Sequence, residues 1–174
     1  MDLNAINDRI AEVHRGRKWI LTTDAAAGVT PIVGQLREWD AAGIMVVAGV
    51  TGVGDLPEAD TFFYTNTSSD TILQGVRAFV RSVEEPSDEL LAAVDEFDRE
   101  GEAMVVAMGF SRRGRLAGRR VYGARKPEWA DLEDKTIIDE IWDQAGVTRA
   151  PSAVVPVADA PAAAEGLSRG LGTV

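Results

Sequence analysis

The sequence contains no cysteine and a single histidine, His14. The missing thiols exclude disulfides, thiolate zinc sites, iron–sulfur clusters and a cysteine nucleophile. One histidine also excludes a metal site built from several histidines. We therefore assign no metal ligand in this chain. No pair of side chains stands out as a catalytic acid and base, and His14 is predicted to be a surface histidine of an N-terminal helix, either exposed or hydrogen-bonded.

Positive charge is also scarce, since 18 lysine and arginine residues face 28 acidic residues and the net charge is −10. Such an excess of negative charge opposes non-specific binding to nucleic acid and to anionic membranes. Long apolar runs are lacking too: the strongest, residues 44–50, falls short of the ~18 residues that a membrane span needs. The first residues lack the features of a secretory signal. We expect a cytoplasmic protein with no nucleic-acid or membrane partner.

Apolar strands and amphipathic helices alternate along the first two thirds of the chain. The predicted strands are residues 19–23, 44–48, 61–65 and 103–108, and the predicted helices run over 3–15, from Thr30 to Gly43, from Ile72 to near Pro86 and from Ser87 to Gly101. The second strand is apolar on both faces, which is typical of the centre of a parallel sheet. This order predicts an α/β fold with a mainly parallel, Rossmann-like sheet and a ligand crevice at the carboxyl ends of its strands.

Two loops at predicted strand ends are candidates for substrate binding. The first, residues 24–30, opens a helix, and helix starts bind anions and carboxylates. The second, residues 49–55, is rich in glycine and would line the crevice. The substrate-binding candidates are Asp24, Gly28, Thr30, Thr51 and Gly52. The alternative for the first loop is a tight loop in which Thr30 only caps the helix, and the alternative for the second loop is a flexible turn.

Residues 111–126 hold seven lysines and arginines and no acid. Most of these residues are predicted to lie on a solvated hairpin at the sheet edge, where charge discourages pairing with other sheets. The alternative for Arg119, Arg120 and Arg125 is a strand that faces phosphate.

The segment that follows this basic stretch has a different pattern. Asp134 and Lys135 precede a periodic apolar helix that Gly146 closes, and an edge strand is predicted over residues 153–157. Asp159 is predicted to cap a last helix over residues 160–168.

Residues 131–157 resemble the ATP-grasp superfamily in the order of an Asp-Lys pair, a helix, a Gly-Val turn, a proline and a strand. The α/β part before them is similar to the pre-ATP-grasp domain. The resemblance implies a pre-ATP-grasp Rossmann-like domain over residues 1–126, and the opening helix and strand of an incomplete ATP-grasp domain over residues 127–174. It also implies that Lys135 contacts the nucleotide, with Arg125 as a second candidate.

The activity implied by the resemblance is that of the N-terminal portion of an ATP-dependent carboxylate ligase. Such an enzyme forms an acylphosphate, which an amine or another nucleophile attacks. ATP and Mg²⁺ would be the cofactors of the complete enzyme, with the magnesium ligands outside this chain, so we expect the chain to be inactive alone. The expected partner is a small-molecule carboxylate, and a homodimer is left open. The alternative is a non-catalytic Rossmann-like module that binds an anion or a partner protein.

Overall fold

The structure is a computed structural model that describes residues 2–67, 69–107, 113–122, 129, 132 and 134–168. The chain divides into two compact units, Met1–Lys126 and Pro127–Val174. Arg125, a predicted nucleotide contact, lies outside the described residues.

The first unit is built on a six-stranded sheet. Its strands are β1 (Lys18–Ala25), β2 (Gly43–Val50), β3 (Thr61–Tyr64), β4 (Met104–Ala107), β5 (Arg115–Leu116) and β6 (Arg119–Val121). They are arranged in the order β3-β2-β1-β4-β6-β5. Every neighbouring pair is parallel except β5 and β6, which form an antiparallel hairpin at one edge. The predicted α/β fold with a mainly parallel sheet is confirmed.

The helices of the first unit are α1 (Leu3–His14), α2 (Thr30–Glu38), α3 (Ile72–Glu84) and α4 (Asp88–Phe97). Two of them begin at hydroxyl caps. The Thr71 hydroxyl accepts a hydrogen bond from the backbone N–H of Gln74 at the start of α3, and Ser87 accepts one from Leu90 in α4. Such caps satisfy amide donors that have no partner inside the helix.

Both faces of the sheet are buried, because successive side chains of a strand point to opposite faces. On one face Trp19, Leu21, Ile44 and Val46 pack with α2. On the other, the core contains Ile20, Met45, Val47 and Val105 from the strands, with Phe79 and Val83 of α3 and Leu90 and Val94 of α4. Burial on both faces explains why the central strands are continuous apolar runs in the sequence.

The ends of α2 differ from the prediction. Val29 is the N-cap and Thr30 is already helical, so its hydroxyl does not cap the helix. The helix ends at Glu38, well before Gly43, and Gly43 instead begins β2. Asp40 takes the left-handed conformation after the helix, with a φ of 56°. Aspartate tolerates this conformation better than most residues, so no glycine is needed there.

The start of α3 also departs from the expected apolar stripe. Ile72 is 88% exposed and Leu73 is exposed as well, whereas Phe79 and Val83 further along the helix are buried. Only the later turns of α3 therefore pack on the sheet. The first turn presents aliphatic side chains to solvent, next to the ends of β1 and β2.

The second unit contains α5 (Ile138–Gln144) and α6 (Ala160–Ser168) among its described residues. The predicted strand over residues 153–157 is wrong: residues 151–156 are irregular, and a 3₁₀ helix follows at Val157–Asp159. The described part of this unit supplies no strand with which such a segment could pair. Arg149 instead connects the segment to α5, because its guanidinium donates hydrogen bonds to Asp143 of α5, at 2.8 Å, and to Ser152 of the segment.

None of the helices within the described ranges is long and apolar enough to cross a membrane.

Candidate functional site

A cleft of about 360 Å³ opens at the carboxyl ends of β1 and β2. Its walls come from four segments: the end of β1, the end of β2, the segment after β3, and the first turn of α3. The lining residues are Asp24, Val50, Thr67, Ser69, Ile72, Gly75 and Val76. The carboxyl ends of parallel strands are where ligands bind in open α/β sheets. This is the crevice position that the sequence pattern predicts.

Two glycines allow these segments to come close together. A Cβ atom on Gly49 would lie 2.9 Å from the carbonyl oxygen of Asp24 and 3.0 Å from the Thr67 hydroxyl. A Cβ atom on Gly75 would lie 2.9 Å from the Ser69 hydroxyl. Gly49 therefore lets the end of β2 pass directly beside the end of β1, and Gly75 lets the segment after β3 lie against α3.

Asp24 is the one titratable side chain among the described residues that line the cleft. Its carboxylate is exposed, and no other described residue gives it a hydrogen bond or an ion pair. The aliphatic side chains of Val50 and Ile72 are also exposed, Val50 by 50%. The cleft thus combines a free negative charge with an apolar wall.

The other predicted substrate residues lie in a contact between the two strand-end loops. The Ala27 N–H donates to the Thr51 carbonyl at 3.0 Å, and the Thr30 hydroxyl donates to the Asp55 carbonyl at 2.7 Å. Gly52 has a φ of +79°, and a Cβ on it would lie 2.9 Å from that of Ala25.

The structure therefore explains the glycine-rich second loop by close packing against the first. Gly28 lies in the 3₁₀ helix Ala26–Val29, which runs directly into α2. Of the five predicted substrate residues, only Asp24 is among the lining residues of the cleft. A substrate contact by Gly28, Thr30, Thr51 or Gly52 stays a prediction.

Lys135, the predicted nucleotide contact in the second unit, is exposed in the turn before α5. The turn is held by Asp134, whose carboxylate accepts hydrogen bonds from the N–H and the hydroxyl of Thr136 at 2.8 and 2.7 Å. These bonds lower the pKa of Asp134 below its usual value. Lys135 makes no hydrogen bond or ion pair to any other described residue, so its ammonium group is available to an anion.

Within the described ranges, no group of three or more acidic or histidine side chains is placed to hold a metal ion. Mg²⁺ prefers oxygen ligands and near-octahedral geometry, and it usually bridges one or two carboxylates and substrate phosphates. Asp24 is the one carboxylate among the described residues that line the cleft, beside two hydroxyls and aliphatic side chains, and this lining does not fit a dedicated magnesium site.

The basic stretch contains a side chain whose role the sequence did not reveal. Arg119 is only 8% exposed, and its guanidinium donates to the Asp98 carboxylate at 3.0 Å and to Asp95 at 2.7 Å. It also donates to the backbone carbonyls of Ala117 and Asp98. Arg119 therefore joins the edge hairpin to the end of α4 and does not face a ligand. Arg120, its neighbour on β6, is exposed.

His14 is buried rather than on the surface, with 5% exposure. Its ring lies 4.8 Å from that of Trp19 and 4.5 Å from that of Trp39, and Tyr122 meets it edge-on. Its Nδ1 contacts the carbonyl of Ile10 at 2.7 Å. The histidine thus fills an aromatic cluster that anchors the end of α1.

The segment after β3, which supplies Thr67 and Ser69 to the cleft, was missed in the sequence. The available signal was its composition, because residues 65–71 are mostly threonine and serine directly after a strand. The first turn of α3 was missed for a different reason. Its aliphatic side chains match a core stripe, and exposure is not visible in the sequence.

Comparison with known protein families, with curated proteins and with solved structures gives no match to this chain. The resemblance of residues 131–157 to the ATP-grasp superfamily therefore stays a prediction.

Proposed function

We propose that residues 1–126 are a Rossmann-like lobe that binds a small molecule in the Asp24 cleft. The observation that carries this proposal is the position of the cleft at the carboxyl ends of adjacent parallel strands. Its volume of about 360 Å³ falls within the range of ligand pockets. Its lining is mainly aliphatic with a few polar groups, which is the usual composition of such pockets.

The test of this lobe is to fill the cleft. Gly75→Leu adds a side chain where the helix faces Ser69, and Gly34→Leu adds the same group on α2, where nothing lies within 4 Å of a Cβ atom. Ligand-observed NMR with a set of small amines, carboxylates and amino acids should find binders that Gly75→Leu abolishes and Gly34→Leu retains. If no small molecule depends on Gly75, the cleft is not a binding site.

We further propose that the chain is the N-terminal portion of an ATP-dependent carboxylate ligase of the ATP-grasp type, with Lys135 as a nucleotide contact. The support is the Asp-Lys segment in a unit that follows a parallel-sheet lobe. An exposed lysine without another partner is a point charge that suits a phosphate. In this assignment the Asp24 cleft belongs to the amine that attacks the acylphosphate, and Lys135 and Arg125 belong to the nucleotide side.

Calorimetric titration of Mg-ATP into the chain tests the nucleotide assignment. Lys135→Ala should weaken the binding by about tenfold, the effect of one charge-assisted hydrogen bond to phosphate. The matched control is Lys18→Ala, which removes a lysine whose ammonium donates to the Phe97 carbonyl. Equal affinities for Mg-ATP in the parent and in Lys135→Ala would contradict the nucleotide assignment.

A second candidate function, binding of a partner protein, is favoured by α1. Leu3, Ile6, Ile10 and Val13 recur at helical spacing, and all four are exposed. An apolar helix stripe open to solvent is a typical protein-binding surface. Ile6→Lys should abolish self-association seen by sedimentation, while Asn4→Lys on the same helix should retain it. A monomer at every concentration in the parent chain excludes a homodimer.

A further inference from the structure

We infer that the ligand of the Asp24 cleft is an alkylammonium compound, whose positive nitrogen binds the Asp24 carboxylate and whose aliphatic part contacts Val50, Ile72 and Val76. This inference rests on the proposed binding role of the cleft and adds the chemistry of the ligand. The inferred ligand has the opposite charge to the one predicted from the sequence, where the loop after β1 was expected to bind an anion or a carboxylate.

The described part of the cleft carries a single negative charge. Asp24 lines it, and none of the other lining residues in the described structure is charged. No described lysine or arginine pairs with this carboxylate, although the arginines at positions 37, 119 and 149 all have acidic partners. An anionic ligand would meet a like charge here with no cation to offset it. A cationic ligand would provide the missing opposite charge.

The expectation of an anion site depended on the start of α2. Its first residue, Thr30, uses its hydroxyl to donate to the carbonyls of Ala27 and Asp55. The preceding residue, Val29, is fully buried. The start of α2 is therefore packed against the second loop, and it is not among the elements that line the cleft.

The amino end of α3 does border the cleft, and it carries a partial positive charge. That charge is about half an elementary charge, spread over the first-turn amides. One of those amides, the N–H of Gln74, already donates to the Thr71 hydroxyl. The full charge of Asp24 has no such partner among the described residues. The net field therefore favours a cation at the Asp24 side of the cleft.

Exposed aliphatic side chains in the cleft can contact the apolar part of the ligand. Val50 and Ile72 are large aliphatic side chains that remain exposed although they stand at the mouth of the cleft. Their burial by a ligand gains free energy in proportion to the apolar area covered. The Thr67 and Ser69 side chains also line the cleft, and their hydroxyl oxygens supply additional acceptors for an ammonium group.

The experiment compares two probes of the same shape and opposite charge, 3-methylbutylamine and 4-methylpentanoate. Each is titrated into the isotopically labelled chain, and backbone amide shifts are followed by NMR. The amine should perturb the amides of Asp24, Val50, Thr67 and Ile72. Asp24→Asn should weaken the amine by about fivefold, the effect of one partly exposed charge pair. It should leave the carboxylate unchanged or strengthen its binding.

Asp55→Asn is the matched control, because it removes the same charge from an exposed residue that does not line the cleft. It should leave the amine affinity unchanged. An equal loss in both variants would reduce the effect to general attraction by an acidic protein and overturn the inference. Tighter binding of 4-methylpentanoate at the same amides would also overturn it, yet would keep the cleft as a binding site. If neither probe shifts these amides, the binding role itself fails.

Discussion

Arg119 is the side chain whose removal should affect stability most among those that the sequence placed on a solvated edge. Its guanidinium makes four hydrogen bonds, two to carboxylates and two to backbone carbonyls. Asp98, its main partner, is 2% exposed and also accepts hydrogen bonds from the N–H groups of Glu102 and Ala103. Arg119→Met removes the charge while preserving most of the aliphatic stem, so the loss is mainly electrostatic.

Removing one partner of a buried ion pair costs about 3–5 kcal/mol, because the other charge stays buried without compensation. Asp98 keeps its two backbone donors and Asp95 is largely exposed, so we expect the lower end, about 3 kcal/mol. Arg120→Met, one residue along the same strand, removes an exposed arginine and should cost no more than about 0.5 kcal/mol. The two variants lose the same net charge, so their difference reports on the burial and the hydrogen bonds of Arg119.

The pH dependence provides a second, independent readout. Burial would raise the pKa of Asp98, but the Ala103 N–H and the Arg119 guanidinium outweigh it and hold the pKa below the usual 3.8. A carboxyl whose pKa is lower in the folded state stabilises the fold at pH values above its pKa in the unfolded chain. This stabilisation is lost as the pH falls through the pKa of the folded state. The parent chain should therefore lose stability below about pH 3.8 more steeply than Arg119→Met.

Urea unfolding followed by circular dichroism measures these differences as a shift of the midpoint at constant slope. The reasoning is refuted if Arg119→Met and Arg120→Met unfold at the same urea concentration. It is also refuted if the difference between Arg119→Met and the parent does not shrink in acid.

Two further substitutions test the packing around the cleft and around α1. Gly49→Ala should lower the free energy of unfolding by about 2 kcal/mol in thermal or urea unfolding, because its Cβ would lie 2.9 Å from the Asp24 backbone carbonyl. The control Gly34→Ala on α2 has open space and should raise the free energy of unfolding by about 0.5–1 kcal/mol. A neutral Gly49→Ala would show that the two strand ends can separate. His14→Ala should cost about 2 kcal/mol and change the fluorescence of Trp19, since it empties a buried aromatic cluster; unchanged stability and emission would place the ring in solvent.

The parallel sheet could be predicted because its cause is local. Strands that are buried on both faces must be apolar at every position, and residues 44–49 have that pattern without interruption. Helix starts with a hydroxyl at the cap, such as Ser87 before Asp88 and Glu89, are also local signals. The ends of α2 were not predictable in the same way. Asp40 takes a conformation usually assigned to glycine, and the sequence contains a glycine only three residues later.

Features that depend on distant pairing could not be read from the sequence. Arg119 and Asp98 are 21 residues apart, and nothing near either residue indicates that the other lies beside it. A dense run of arginines is most often a solvated surface, and Arg120 and Arg115 are indeed exposed. The buried arginine differs from these two only in its direction on a two-stranded hairpin. His14 likewise became buried only when α1 brought it against Trp19.

The site was half predictable for a related reason. The position of a crevice follows from the direction of the strands, and Asp24 could be named because it lies at the carboxyl end of the first of them. The sign of the ligand could not be derived in this way, because it depends on which charges the fold leaves unpaired. A loop before a helix favours an anion only if its amides stay free, and here Thr30 ties that loop to Asp55. Once the loop is closed, the charge that remains among the described residues of the cleft is the Asp24 carboxylate, which favours the cation that we propose.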